Sequence, residues 1–202
     1  MERTLIVGLR NPGANYEGSR HNVGAEVVTV VADRLGVSFK RARLSIRAEV
    51  AEARIGDEPV ALALPQSFMN ESGQSVAPLA RYFRVTPDRL LVVHDDIDLP
   101  FAKLRVQFGR GAGGNNGVRS VIGSLGTQDF WRLKFGVGRP PGSMDPADYV
   151  LRRFAAAERP EVDVMLQYGG DVIEEFVTAG GEAASQLAGG AGNASGGTDQ
   201  TQ

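Results

Sequence analysis

The chain of 202 residues contains no cysteine. That removes disulfides and thiol nucleophiles from every reading, and it fits a reducing compartment. Histidine is scarce: His21 and His94 are the two, so imidazole chemistry has two candidates. Long apolar runs are missing as well. No stretch approaches the roughly 20 apolar residues of a membrane span. The apolar segment from Leu5 to Leu9 ends at Arg10, too soon for a signal peptide. The expected location is cytoplasmic, with no membrane partner. No Gly-x-Ser-x-Gly elbow occurs. Without that serine and without cysteine, a hydrolase built on this chain would activate water directly.

Excess charge of one sign is absent overall but present locally. The net charge is −2. Residues 1–154 carry 21 Lys and Arg against 16 Asp and Glu, whereas residues 155–202 carry 1 against 8. A mildly basic body permits a polyanionic partner. An acidic final helix explains the split equally well.

What the chain does have is an alternation of strand and helix signals. Leu5 to Gly8 and Leu90 to Val93 are short apolar runs of the buried-strand type. Residues 44–54 alternate, with Leu44, Ile46, Ala48 and Val50 on one side. With a turn at Gly56-Asp57-Glu58-Pro59 and a strand at 60–64, they predict a hairpin. Strands are also expected over 102–108 and 131–137, and Tyr149 in a short extended segment over 148–151. Helical spacing marks 22–36, a stretch ending near Arg84, a short helix to about Leu125, and 157–179. This pattern implies one α/β domain over 1–184, with a twisted, mixed, mostly parallel sheet and helices on both faces. From 185 the sequence is Gly, Ala, Ser, Gln and Thr. It offers too little apolar surface to offset the entropy of ordering, so 185–202 is expected to be a disordered tail.

Polar outliers gather where strands end, the edge at which open α/β sheets bind ligands. Asn11, Tyr16 and His21 follow the first strand, and none is needed to make the Asn11-Pro12-Gly13 turn. Phe68-Met69-Asn70 follows the second hairpin strand, and His94-Asp95 the central one. His21 can serve as a general base, since an imidazole of ordinary pKa about 6.5 titrates near neutrality; it can equally cap the helix beginning at Asn22. Asp95 can orient such a base. Alternatively Asp95, Asp96 and Asp98 can hold a divalent cation, although no further carboxylates stand at other strand ends. Gly109-x-Gly111-x-x-Gly114 matches a dinucleotide fingerprint, but too late in the chain and without the following acidic residue. A glycine loop that lets backbone approach a substrate is the other reading. Asn11, Asn70 and Asn116 are neutral donors suited to a carbonyl or oxyanion. For His94, packing or a local hydrogen bond is the simpler reading.

Taken together, these stretches resemble the bacterial peptidyl-tRNA hydrolase family. The similar residues are Leu5-Ile-Val-Gly-Leu-x-Asn-Pro-Gly-x-x-Tyr-x-x-x-Arg-His-Asn22, Phe68-Met69-Asn70 and His94-Asp95-Asp96-Ile-Asp-Leu-Pro100. Gly109 to Gly117 and Arg132-Leu-Lys-Phe-Gly-Val-Gly138 complete them. The resemblance implies hydrolysis of the ester joining a peptide to the 3′ ribose of tRNA, by a monomer with no metal, cofactor or obligate protein partner. It implies that His21 is the base, that Asp95 holds its tautomer, and that Asn11 contacts the peptide's blocked amino end. Tyr16, Phe68, Met69, Asn70 and Asn116 then line the peptidyl and 3′-end site, with Asn70 a candidate oxyanion donor. The acceptor stem's 5′ phosphate is expected on two basic residues. Lys134 matches one, while the other position falls on Gln107, which leaves Arg105 or Arg110 to supply the charge. Asn115 stands where relatives often have His. A non-catalytic RNA-binding relative of the same fold is the alternative, and turnover separates the two.

Overall fold

The structure is a computed structural model, and it describes residues 2–43 and 45–190. Leu44, the first residue of the expected alternating strand, and residues 191–202 lie outside the described residues.

The chain forms strand β1 (Thr4–Gly8), helix α1 (Val23–Arg34), strands β2 (Lys40–Arg41), β3 (Ala48–Ile55) and β4 (Glu58–Pro65), and helix α2 (Gly73–Phe83). Then come β5 (Leu90–Asp96), β6 (Leu104–Phe108), α3 (Asn116–Leu125), β7 (Trp131–Gly136), α4 (Pro146–Leu151), α5 (Arg159–Ala179) and α6 (Gly181–Gly190). The sheet order is β2-β3-β4-β1-β5-β7-β6. Its centre, β4-β1-β5-β7, is parallel, while the pairings toward the edges, β2 with β3, β3 with β4 and β6 with β7, are antiparallel. It is thus a mixed α/β sheet with a parallel core.

Alternation along the strands sorts the core into two layers. Ile6, Leu62, Leu91 and Val93 pack with α1, α5 and Phe154 on one face. Leu5, Val7, Val92 and Ala63 pack with Val76 and Leu79 of α2 and Val118 and Val121 of α3 on the other. Two glycines set the depth at which α1 lies on the sheet. A Cβ on Gly24 would sit 2.2 Å from the Val93 carbonyl oxygen, and one on Gly8 2.6 Å from the Gly24 oxygen. Only their missing side chains let the start of α1 touch the ends of β1 and β5.

Two expectations need correction. Residues 148–151 are not extended: they belong to α4, whose start is fixed by the Asp145 side chain accepting from the Ala147 N–H, with Pro146 in the first turn. The domain also does not stop at 184. Residues 185–190 continue α6, in which Ala184 and Ala188 are buried, Ser185 donates to the Val106 carbonyl and Tyr168 donates to the Leu187 carbonyl. Small side chains bury here because the helix lies close: a Cβ on Gly181 would fall 2.2 Å from the Trp131 ring.

Candidate active site

A cavity of about 560 Å³ opens at the C-terminal ends of the parallel strands. It is lined by Asn11, His21, Phe68, Met69, Asn70, His94, Asp95, Asn115 and Asn116, with Gly113 and Gly114 at the rim and Val150 and Leu151 of α4 as an apolar wall. Three strand ends and the glycine loop therefore converge, as the sequence implied.

His21 sits in a 3-10 turn, Arg20–Asn22, immediately before α1. Its Nδ1 lies 2.8 and 2.9 Å from the two carboxylate oxygens of Asp95. The turn is pinned from behind by Arg20. That guanidinium donates to the Arg152 and Arg153 carbonyls, pairs with Glu158 at 2.7 Å and lies over the Tyr149 ring at 4.3 Å. Burial works against the charged form of His21, but the charge of Asp95 and its hydrogen bond outweigh it. The His21 pKa is therefore raised above the ordinary 6.5. With Nδ1–H donated to Asp95, Nε2 carries the free lone pair.

Asp95 is 2 % exposed and is held in its turn. Asn115 donates from Nδ2 to the Asp95 carboxylate at 3.1 Å and to its carbonyl at 3.2 Å, while Asn115 Oδ1 caps α3 by accepting from the Val118 N–H. His94 donates from Nδ1 to the same carbonyl at 2.7 Å. Burial, opposed by that hydrogen bond, pushes the His94 pKa down to about 4, so its ring is neutral at physiological pH. His94 thus both lines the cavity and makes the local hydrogen bond expected of it.

Asn11 is fixed by three hydrogen bonds. Its Oδ1 accepts from the Met69 N–H at 2.7 Å, which leaves Nδ2 as the free donor. Its backbone N–H donates to Asn22 Oδ1 at 2.8 Å, and its carbonyl accepts from Asn22 Nδ2 at 2.9 Å. Asn22 and Asn115 are the supports that sequence reasoning left without a role. Their signal was adjacency: each neighbours a site residue and is a type able both to donate and to accept.

Asn70 is exposed at the cavity with no hydrogen bond to other described residues, and Asn116 accepts from Arg119 at 3.1 Å. Phe68 is 51 % exposed, and Tyr16 meets it edge-on at 6.3 Å, so Tyr16 adjoins the cavity without lining it. The basic residues stand apart from the cavity lining. Lys134 is cross-strand neighbour to Arg105, and its Nζ pairs with Asp96 at 2.9 Å. Arg105 and Arg110 are exposed and have no ion pair among the described residues. No group of three or more His, Asp or Glu among the described residues is placed to hold a metal ion. No helix among them is long and apolar enough to cross a membrane.

The family model for peptidyl-tRNA hydrolase matches residues 5–194. A peptidyl-tRNA hydrolase of Mycobacterium marinum is 49 % identical over 183 residues, covering 91 % of this chain and 95 % of the relative. One from Mycobacterium tuberculosis is 47 % identical over the same length and coverage. Among solved structures, the peptidyl-tRNA hydrolase of Acinetobacter baumannii superposes with a TM-score of 0.85 at 30 % identity, covering 91 % of this chain and 93 % of that one.

Proposed function

From the premise that the chain belongs to the peptidyl-tRNA hydrolase family and hydrolyses peptidyl-tRNA, we propose that His21 is the general base and Asp95 the group that holds it ready. The observation that carries this reading is the His21 Nδ1 contact with both Asp95 oxygens at 2.8 and 2.9 Å. It fixes the tautomer and presents Nε2 to a water molecule. Nε2 takes a proton as the water oxygen bonds to the ester carbonyl carbon, and the carbonyl π electrons move onto oxygen. Collapse breaks the bond to the ribose 3′ oxygen, which recovers the proton from His21. The peptide leaves as a carboxylic acid, which loses its remaining proton to solvent, and the tRNA with its 3′ hydroxyl restored. Asp95 offsets the imidazolium formed midway. Asn70 donates to the developing oxyanion, a contribution of about 10²–10³ for a well-placed amide.

Asn11, its Oδ1 committed to Met69, presents Nδ2 to the first peptide carbonyl beyond the ester. An aminoacyl-tRNA lacks that carbonyl and carries a cation instead, so it is spared. Phe68 and Tyr16 offer faces for the terminal base or the peptide, with Met69 and Asn116 completing the wall. The acceptor stem rests on the β6–β7 face, where Arg105 supplies positive charge and Lys134 is already neutralised by Asp96. The enzyme works in the cytoplasm as a monomer, with tRNA its only macromolecular partner.

The test is release of peptide from N-blocked aminoacyl-tRNA, with free aminoacyl-tRNA as control, for the wild type and His21→Ala. Cleavage of the blocked substrate alone, lost in the variant, is the expected result; cleavage that survives in His21→Ala contradicts it.

A further inference from the structure

The residue beside the base is itself a buried cation. Arg20 is 6 % exposed, and its Nε–H has no hydrogen-bond partner among the described residues. Taking a guanidinium out of water is costly, and a buried ion pair adds little net stability over apolar residues of similar volume. Arg20 lies against two aromatic rings, Tyr149 at 4.3 Å and Phe154 at 5.2 Å, so an apolar side chain would also pack there. What an apolar side chain lacks is a set of donors. Nη1 of Arg20 donates to the Arg152 and Arg153 carbonyls at 3.3 and 2.8 Å, and Nη2 to Glu158 at 2.7 Å. Glu158 also accepts from the Ala155 N–H at 2.6 Å, so it is fixed in turn.

These partners lie just beyond α4, whose Val150 and Leu151 form the apolar wall of the cavity. A six-residue helix is too short to hold its own place and depends on ties to its surroundings. Tyr149 donates to the Val137 carbonyl, and residues 152–154 join α4 to the chain ahead of His21. There the Arg20 N–H donates to the Arg152 carbonyl at 3.0 Å, the Phe154 N–H donates to the Gly18 carbonyl at 3.3 Å, and Ser19 forms an antiparallel bridge with Arg153. The His21 turn is equally dependent: it is three residues long, and no side chain caps its start. One guanidinium therefore serves two elements that cannot place themselves, and it stands one residue from the base.

We propose that Arg20 is a positioning residue: by clamping the His21 turn to the segment after α4, it holds the His21 ring on Asp95 at a set distance from the apolar wall. The work belongs to its planar fork rather than to its charge, since the two carbonyls and the Glu158 carboxylate are served at once. The proposal deepens the assignment of His21 as the base, and rests on it for the kinetic effect alone.

The experiment follows the His21 ring directly, by proton magnetic resonance titration, together with steady-state kinetics on N-blocked aminoacyl-tRNA. The chain has two histidines, and His94, held at about 4, does not titrate near neutrality. The titratable groups around His21 are His94, Asp95 and Asp96 of β5 and Asp145 ahead of α4 within the cavity, with Arg20, Tyr149 and Glu158 behind. Arg20→Lys keeps the charge and loses the fork. Its His21 ring is expected to leave Asp95, so the midpoint falls from its raised value toward 6.5. With it kcat falls about 10²-fold, the cost of a displacement of about 1 Å. In Arg20→Met, loss of a nearby cation alone would raise the midpoint, whereas release from Asp95 lowers it; a fall is expected. Val177→Ala is the control for lost stability, a core truncation that shares a cavity with Thr4 and Trp131 at the opposite ends of the strands. It should lower the melting temperature and leave the His21 midpoint and kcat in place. Should Arg20→Met fail to fold, Arg20→Lys carries the comparison. A midpoint unchanged in Arg20→Lys overturns the proposal, as does a rise in Arg20→Met or an equal fall in Val177→Ala. A midpoint that falls in Arg20→Lys with kcat unchanged supports the positioning and counts against His21 as the base.

Discussion

Asn22 lines no part of the cavity, yet it accepts from the Asn11 N–H and donates to the Asn11 carbonyl. Asn22→Ala strands both of those buried backbone groups, at a cost of about 1–3 kcal/mol each for a buried group left unpaired. A lower melting temperature and a fall in kcat/KM are expected, because Asn11 loses its fixed position. Asn22→Asp keeps the acceptor and loses the donor, so it should fall between wild type and Asn22→Ala in both thermal denaturation and kinetics. Residues of this kind were hard to read in the chain. His21 and Asn11 stood out because a turn does not require them, and Asp95 because it is an acid at the end of a buried strand. Asn22 and Asn115 did not, because an asparagine in a loop or at a helix start is ordinary. Only the folded contacts give them work.

At the scale of elements, the parallel strands were the most legible. Continuous runs such as Leu90 to Val93 have one interpretation when both faces are covered. Helix starts were less so. The Asp145-Pro146 pair at the start of α4 is a capping signal, but six residues are too few for apolar periodicity to show. Gly73 and Pro78 are poor helix formers inside α2, yet a Cβ on Gly73 would meet the Ser120 carbonyl at 2.1 Å, so that glycine is what lets α2 and α3 pack closely. The same logic gives a prediction at α1. Gly24→Ala forces its methyl onto the Val93 oxygen, must push the helix start outward, and carries the His21 turn with it. The expected cost is about 1–3 kcal/mol, the usual range for overpacking. Alongside it, kcat/KM should fall about 10²-fold through misplacement of His21, although no functional group has been removed. Denaturant titration and steady-state kinetics check the two parts.

For the molecule as a whole, the sequence shows a mildly basic body but not where its cations stand. The ion pair between Lys134 and Asp96 is invisible in one dimension; it joins neighbouring parallel strands in register only once β5 and β7 pair. Among the described residues, Arg105 and Arg110 are exposed cations without an ion pair. Each of Arg105→Ala and Arg110→Ala should weaken deacylated tRNA binding and reduce the slope of log affinity against log salt by about one. A salt titration in which neither variant changes the slope would exclude both from phosphate contact. The acidic α5, by contrast, spends its charge internally: Asp171 and Glu174 pair with Arg34 at 2.8 and 3.0 Å. The charge split along the chain therefore separates a mildly basic body from an acidic helix that braces it. All these parts converge on one dyad, and the pH dependence of kcat/KM in wild type and Asp95→Asn tests it most directly. His94, held near 4, is already neutral over the neutral range, so the acid limb belongs to His21. Activity requires the neutral ring, and Asp95 raises its pKa, so the wild-type limb should lie above 6.5. In Asp95→Asn the raising influences go and burial alone acts, so the limb should move to lower pH while the plateau falls about 10²–10⁴-fold. A limb that stays in place in Asp95→Asn would mean that His21 is not the group whose proton governs the reaction.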